Sequence, residues 1–177
     1  MTEKNDTSRL NEKYIFRNIR QEEIAQAAEI EKICFPPNEA CSYEHMEDRV
    51  KKAPKLFLVA EDRDTGKIAG FLNGLATDRE HLTDDFFTDA EVHDPKGKNI
   101  MLLGLDVLPE YQRRGLAREL VRCYKEREKA NGREKLILTC LPDKVEMYQK
   151  FGFKDHGIGD SVWGGEAWHE MSVELRG

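Results

Sequence analysis

The sequence has no apolar run near the roughly 20 residues that a bilayer span requires, and its opening, MTEKNDTSRL, lacks the hydrophobic stretch of a secretory leader. A cytoplasmic protein with no membrane partner is expected. Positive charge is also in deficit, with 28 Lys and Arg against 34 Asp and Glu and a formal net charge of -6. That balance argues against a general nucleic-acid binder, whose affinity rests on neutralising many phosphates. The four cysteines, Cys34, Cys41, Cys123 and Cys140, form no close pair, so reduced thiols are expected rather than a disulfide framework. Structural zinc fits Cys34, Cys41 and His45 poorly, because the spacing is wide and a fourth ligand is missing, and no metal is expected. Two phosphate-binding signatures are absent as well: no GxxxxGK[ST] loop and no GxGxxG fingerprint occurs.

What the 177 residues do contain is enough for one domain with a real core, expected over 13–177, after a polar stretch of residues 1–12 expected to fray. YIFRNI reads as a short strand, and QEEIAQAAEIEKICF as an amphipathic helix with Ile24, Ala27, Ala28, Glu31 and Cys34 at helical spacing, stopped by Pro36 and Pro37. Ser42 caps a second helix in SYEHMEDRVKKA. KLFLVAED and KIAGFLNGLAT flank RDTG and predict an antiparallel hairpin over 55–77. Residues 78–99 are long, acidic and weakly periodic, as functional or disordered loops are.

IMLLGLDVL and KLILTC, apolar on both faces, suit a buried parallel pair joined by a helix from about Arg114 to Ala130. Asp143 is then expected to cap a short helix in DKVEMYQKFGF, with Gly152 as its stop. The tail predicts a final hairpin or closing strand with Met171, Val173 and Leu175 on one face.

The turn LPEYQRRGLAREL sets Arg113, Arg114 and Arg118 at the start of the long helix, where free backbone N–H groups already concentrate positive charge. Cations there are unfavourable by about 0.3–1 kcal/mol each unless an anion sits beside them. Gly115, without a side chain, would let a pyrophosphate approach the backbone. The competing reading is a solvated arginine face with Gly115 as a plain turn residue.

Gln112-Arg113-Arg114-Gly115-Leu116-Ala117 resembles the acetyl-coenzyme A signature Q/R-x-x-G-x-G/A of the GNAT N-acetyltransferases. The resemblance spans most of the chain, from the first strand and helices through the hairpin and the LTC strand to MYQKFGF, where the family commonly has a tyrosine before F-G-F. EHLTDDFFTDAEVHDPKGK, ahead of the signature strand, is similar to the equivalent loop of the serotonin (arylalkylamine) N-acetyltransferase branch. The resemblance implies an α/β (α+β) GNAT fold, with flanking helices and a mixed central sheet splayed around the pantetheine arm of acetyl-CoA. It implies that Leu105, Asp106 and Val107 lie along the arm and that Gln112, Arg113, Arg114, Gly115, Leu116, Ala117 and Arg118 cradle the pyrophosphate. It further implies that Tyr148 protonates the departing thiolate, and that acetyl-CoA and an amine acceptor are the partners.

The two histidines that this branch carries on the signature strand correspond here to Met101 and Leu103, so no base is assigned. Strict alternation places Asp106 opposite Met101 and Leu103, unless a bulge rephases the strand. Without a base, kcat/KM is expected to climb with pH toward the acceptor's own pKa. Phe35, Pro36, Met101, Leu103 and Trp168 are candidates for the acceptor pocket. The acids of 78–99, with Glu39, Glu44, Glu47 and Asp48, either steer a cationic amine or form a solvated surface. A protein N-terminus or lysine as acceptor, and a coenzyme A-binding module without catalysis, are the alternatives. His93 and His156 read as structural or solvated.

Overall fold

A computed structural model describes residues 3–176 of the chain. In order the elements are α1 Glu3–Lys13, β1 Tyr14–Asn18, α2 Ile24–Cys34, α3 Tyr43–Lys52, β2 Phe57–Asp62, β3 Ile68–Thr77, α4 Asp85–Thr88, β4 Asn99–Val107, α5 Leu116–Ala130, β5 Lys135–Cys140, α6 Val145–Lys150, β6 Lys154–Ile158 and β7 His169–Glu174. Seven strands form one sheet in the order β1-β2-β3-β4-β5-β7-β6. Every pairing is antiparallel except β4 with β5, which is the parallel pair that two doubly apolar segments predict.

The stretch expected to fray is helical from Glu3 onward, with Leu10 packed against the core and Thr7 donating to Glu119; residues 1 and 2 lie outside the described residues. The long helix α5 buries Leu116, Leu120, Val121 and Tyr124 at helical spacing, and the Tyr124 hydroxyl donates to the Leu56 carbonyl at 2.9 Å. Along this helix Arg122 meets both the buried Glu119 and the exposed Glu126. Helices α2 and α3 enclose a second cluster, with Ala27, Met46, Val50 and Phe71 fully buried. Ser42 caps α3 as expected, accepting from the His45 N–H at 3.1 Å.

Asp143 does not cap α6: it lies in a short 3-10 turn, and Lys144 takes the cap position without a side-chain bond. Gly152 ends that helix at φ +98°, a left-handed backbone that favours glycine. The partner of β7 falls earlier than the tail alone indicates, in β6, with a ten-residue excursion over 159–168 between them.

Residues 78–99 are ordered by burial. Leu82, Phe86, Phe87 and Ala90 enter the core, and the acids have protein partners: Glu80 with Lys98 and Lys135, Asp85 with Arg79, Glu91 with Lys52. Asp84 accepts from Ser161 Oγ at 2.5 Å and from the Val162 N–H at 3.2 Å, which ties this loop to the β6–β7 excursion. A segment so neutralised is an inefficient electrostatic funnel.

Candidate active site

Two features of β4 build the site. The first is a splay. Pairing of β4 with β5 covers Asn99, Ile100 and Met101 and then stops, while β3–β4 pairing runs on to Val107 and β5–β7 pairing runs on to Cys140. The facing edges of the two strands therefore part beyond Met101, leaving backbone groups unsatisfied by a neighbouring strand. A cavity of about 1060 Å³ occupies the gap, bordered by Leu102 to Leu105 and Val107 on one side and Leu138 to Leu141 on the other.

The second feature is a bulge. Asn73 pairs with Gly104 and Gly74 with Leu102, so Leu103 is an extra residue on β4. Met101 and Asp106 consequently face the same side as Leu75 and Phe71, which lie four residues apart on the regular strand β3. This is the rephasing by a bulge that strict alternation left as its exception. Met101 is fully buried ahead of the splay and is not a wall of the cavity, whereas Leu103, Phe35, Pro36 and Trp168 are.

At the C-terminal end of β4 the chain enters the arginine turn. Arg113 holds φ +62° and Gly115 φ +83°, both left-handed, and α5 begins at Leu116. An arginine in that conformation is disfavoured by about 1–2 kcal/mol. The sequence accepts that strain where it aims first-turn N–H groups of Leu116, Ala117 and Arg118 outward beside Arg113 and Arg114. A second cleft of about 760 Å³ adjoins the turn, with Lys13, Arg113, Arg114, Arg118, Lys125 and Lys150 among its walls. An open strand edge leading to a basic, left-handed turn fits the shape and charge of acetyl-CoA, whose arm is long and apolar and whose far end carries phosphates. The Val107 carbonyl is already engaged, by Gln112 Nε2 at 3.0 Å and the Cys34 thiol at 3.4 Å. Asp106 does not line the cavity, and its side chain is fully buried.

Tyr148 lines the cavity from α6 and is held edge-on by Phe151 and Phe153, at ring separations of 6.0 and 5.7 Å. Burial, then the nearby Cys140 and Asp106, push its phenol above the ordinary value, so the proton stays on at neutral pH and can be donated.

The opposite wall is one that sequence patterns missed. Trp163 stacks on Phe87 at 5.0 Å, donates from its indole to the Glu39 carbonyl at 2.8 Å, and accepts at its own carbonyl from the Trp168 indole at 2.7 Å. No local periodicity marks Trp163, because it sits in an irregular excursion. Glu39 is pushed up to about 7, by burial first and then by Glu166 and Asp143.

Under the bulge lies a buried polar cluster of Glu31, Arg49, Asn73 and Asp106. Arg49 donates to Asn73 Oδ1 at 3.4 Å and to the Phe87 carbonyl at 3.1 Å, and the Cys41 N–H donates to Glu31 Oε2 at 3.0 Å. Glu31 had shown as one position of an apolar helical stripe, and that signal could have found it: a carboxylate on a buried face needs a reason. Asp106 is raised well above the ordinary carboxyl range, by burial first and then by Glu31. The folded state therefore binds a proton that the unfolded chain releases above about pH 3.9, and wild-type stability falls as pH rises from there toward the raised value. Asp106→Asn should melt a few degrees higher than wild type, by a margin larger at pH 8 than at pH 5. An equal margin at both pH values would show Asp106 to be ionised in the fold.

A mixed sheet parted at a parallel strand pair, with an anion cradle at the end of the parted strand, defines a site for a coenzyme A thioester. The chain belongs to the acetyltransferase (GNAT) family, whose model matches residues 24–153. Its fold is similar to the loading GNATL domain of CurA from Lyngbya majuscula, with TM-score 0.79 at 18% identity over 92% of this chain and 98% of that one. It is also similar to a phosphinothricin acetyltransferase from Sinorhizobium meliloti in complex with acetyl-CoA, with TM-score 0.66 at 16% identity over 92% and 89%. In sequence it is 27% identical over 158 residues to the Bacillus subtilis (strain 168) protein named "Probable hydrolase YhcX". That match takes in 85% of this chain and spans 30% of the relative's length.

Proposed function

We propose that the protein transfers the acetyl group of acetyl-CoA to the primary amine of a small molecule by direct attack in a ternary complex. The observation that carries this is one cavity lined both by the strand edge and arginine turn and by the aromatic side chains of Phe35, Phe87, Trp163 and Trp168. Bound acetyl-CoA supplies an activated thioester. The chain's part is to hold the thioester along the edges of β4 and β5, to neutralise its phosphates with Arg113, Arg114 and Arg118, and to place the amine beside it. Tyr148 gives its proton to the leaving sulfur. The aromatic wall excludes water, and neighbouring apolar surface lowers the cost of making the amine neutral.

The aromatic character of the pocket supports the likeness to the arylalkylamine branch, with Trp163 fixed in the wall by its bond to the Glu39 carbonyl and its stack on Phe87. The test is release of free thiol from acetyl-CoA across a panel of arylalkylamines, aliphatic amines and short peptides. Turnover concentrated in the small amines is expected. Turnover with peptides alone would reassign the acceptor, and a melting shift with acetyl-CoA but no turnover of any amine would leave a binding module.

A further inference from the structure

The buried cluster beneath the bulge has a property that packing does not require. Among the described residues, neither carboxyl oxygen of Asp106 has a hydrogen-bond partner, and neither does Glu31 Oε1, although Glu31 is 4% exposed and Asp106 0%. Unpaired buried carboxylate oxygens are costly. Two carboxyls can satisfy one another when they share one proton, which is how close acid pairs behave.

Their position matters as much. Glu31 is a wall of the cavity, whereas Asp106 is sealed behind it. Between the pair and the strand edge stands Gly104, and a Cβ there would lie 3.1 Å from Asp106 Oδ1, 3.2 Å from Asn73 Nδ2 and 3.7 Å from Glu31 Oε1. The missing side chain thus opens the strand that borders the thioester path onto the acids. Arg49, buried at 3% exposure, donates to Asn73 Oδ1 at 3.4 Å in the same cluster.

Resting on the amine-acceptor reading above, we propose that the Glu31–Asp106 pair is the proton acceptor for the amine, with Glu31 meeting the ammonium and Asp106 acting through Glu31 as its positioning partner. The ammonium gives one proton to the pair, which then holds two. The neutral amine attacks the thioester carbonyl, the new C–N bond forms, and the C–S bond breaks. Tyr148 protonates the thiolate, the amide nitrogen returns a proton to the tyrosine oxygen, and the pair's extra proton leaves with the products. The charged or titratable groups that act on Asp106, or on which it acts, are Glu31 and Cys34 of α2, Cys41 before α3 and Tyr148 of α6; Arg49 of α3 bonds to Asn73 of the same cluster. Glu39 belongs to a separate acid pair, in a loop stitched to Trp163.

Two measurements test this. Infrared spectroscopy of the free protein at neutral pH should show the carbonyl stretch of a protonated buried carboxyl, absent in Asp106→Asn; no such band in wild type overturns the proposal and needs no acceptor. The kcat/KM profile with an amine of pKa about 10 should be flat across neutrality in wild type. In Glu31→Gln it should fall about 10²-fold at pH 7 and climb about tenfold per pH unit toward the amine's pKa. The acetyl-CoA melting shift reports folding of Glu31→Gln, and the infrared band of the wild-type protein decides the proposal should that variant lose the shift. An unaltered profile in Glu31→Gln, or a profile that steepens in Glu39→Gln instead, overturns the proposal alone. No turnover of any amine by wild type removes the acceptor reading and the proposal with it.

Discussion

Tyr148→Phe is expected to lower kcat by about 10²-fold with little change in stability or in the melting shift produced by acetyl-CoA. The ring stays wedged against Phe151 and Phe153, so the substitution removes one oxygen from the cavity wall and leaves the packing. What is lost is a proton at the place where a thiolate must depart. The thiol of coenzyme A, with a pKa near the free-cysteine value of about 8.5, leaves poorly as a bare anion in an apolar cleft. Tyr148, a phenol whose pKa burial pushes further up, is neutral at pH 7 and can donate a hydrogen bond to the developing thiolate. Stopped-flow release of free thiol at saturating acetyl-CoA checks the effect. Equal kcat in the two proteins would assign Tyr148 to packing.

The place of Tyr148 in the cavity wall was legible in sequence through a resemblance, and the reason is local: a tyrosine one turn before the helix-ending F-G-F occupies a fixed place in a short element. The same holds for the arginine turn, where strand, proline, glycine and helix follow within a dozen residues. The buried acid cluster was not legible, because its members come from α2, α3, β3 and β4 and meet only in the fold. The face of Asp106 was left open between strict alternation and a bulge, and one extra residue at Leu103 decides it, because nothing in IMLLGLDVL marks which residue bulges. The acids of residues 78–99 illustrate the complementary failure. Composition displayed a negative run, and the fold pairs much of it with Lys52, Arg79, Lys98 and Lys135.

Gly115→Glu should abolish the stabilisation that acetyl-CoA gives. In wild type, ligand at about 100 times its Kd adds about 2.7 kcal/mol, or about 5–10 °C for a chain of this size. Gly115 sits at φ +83°, so any side chain there costs about 1 kcal/mol. The space itself is open, because the nearest atom to a new Cβ is Leu10 Cδ1 at 3.9 Å. The variant should therefore fold. Its carboxylate would then lie among Arg113, Arg114 and Arg118, at the helix start where the pyrophosphate belongs, occupying the cations and repelling the incoming anion. Gly115→Ala separates strain from charge: it bears the same backbone cost with no carboxylate, and it should keep most of the shift. Thermal melts of the three proteins with and without acetyl-CoA decide the matter. A full shift retained by Gly115→Glu would mean that the phosphates bind elsewhere, and that the arginines of this turn are surface charge after all.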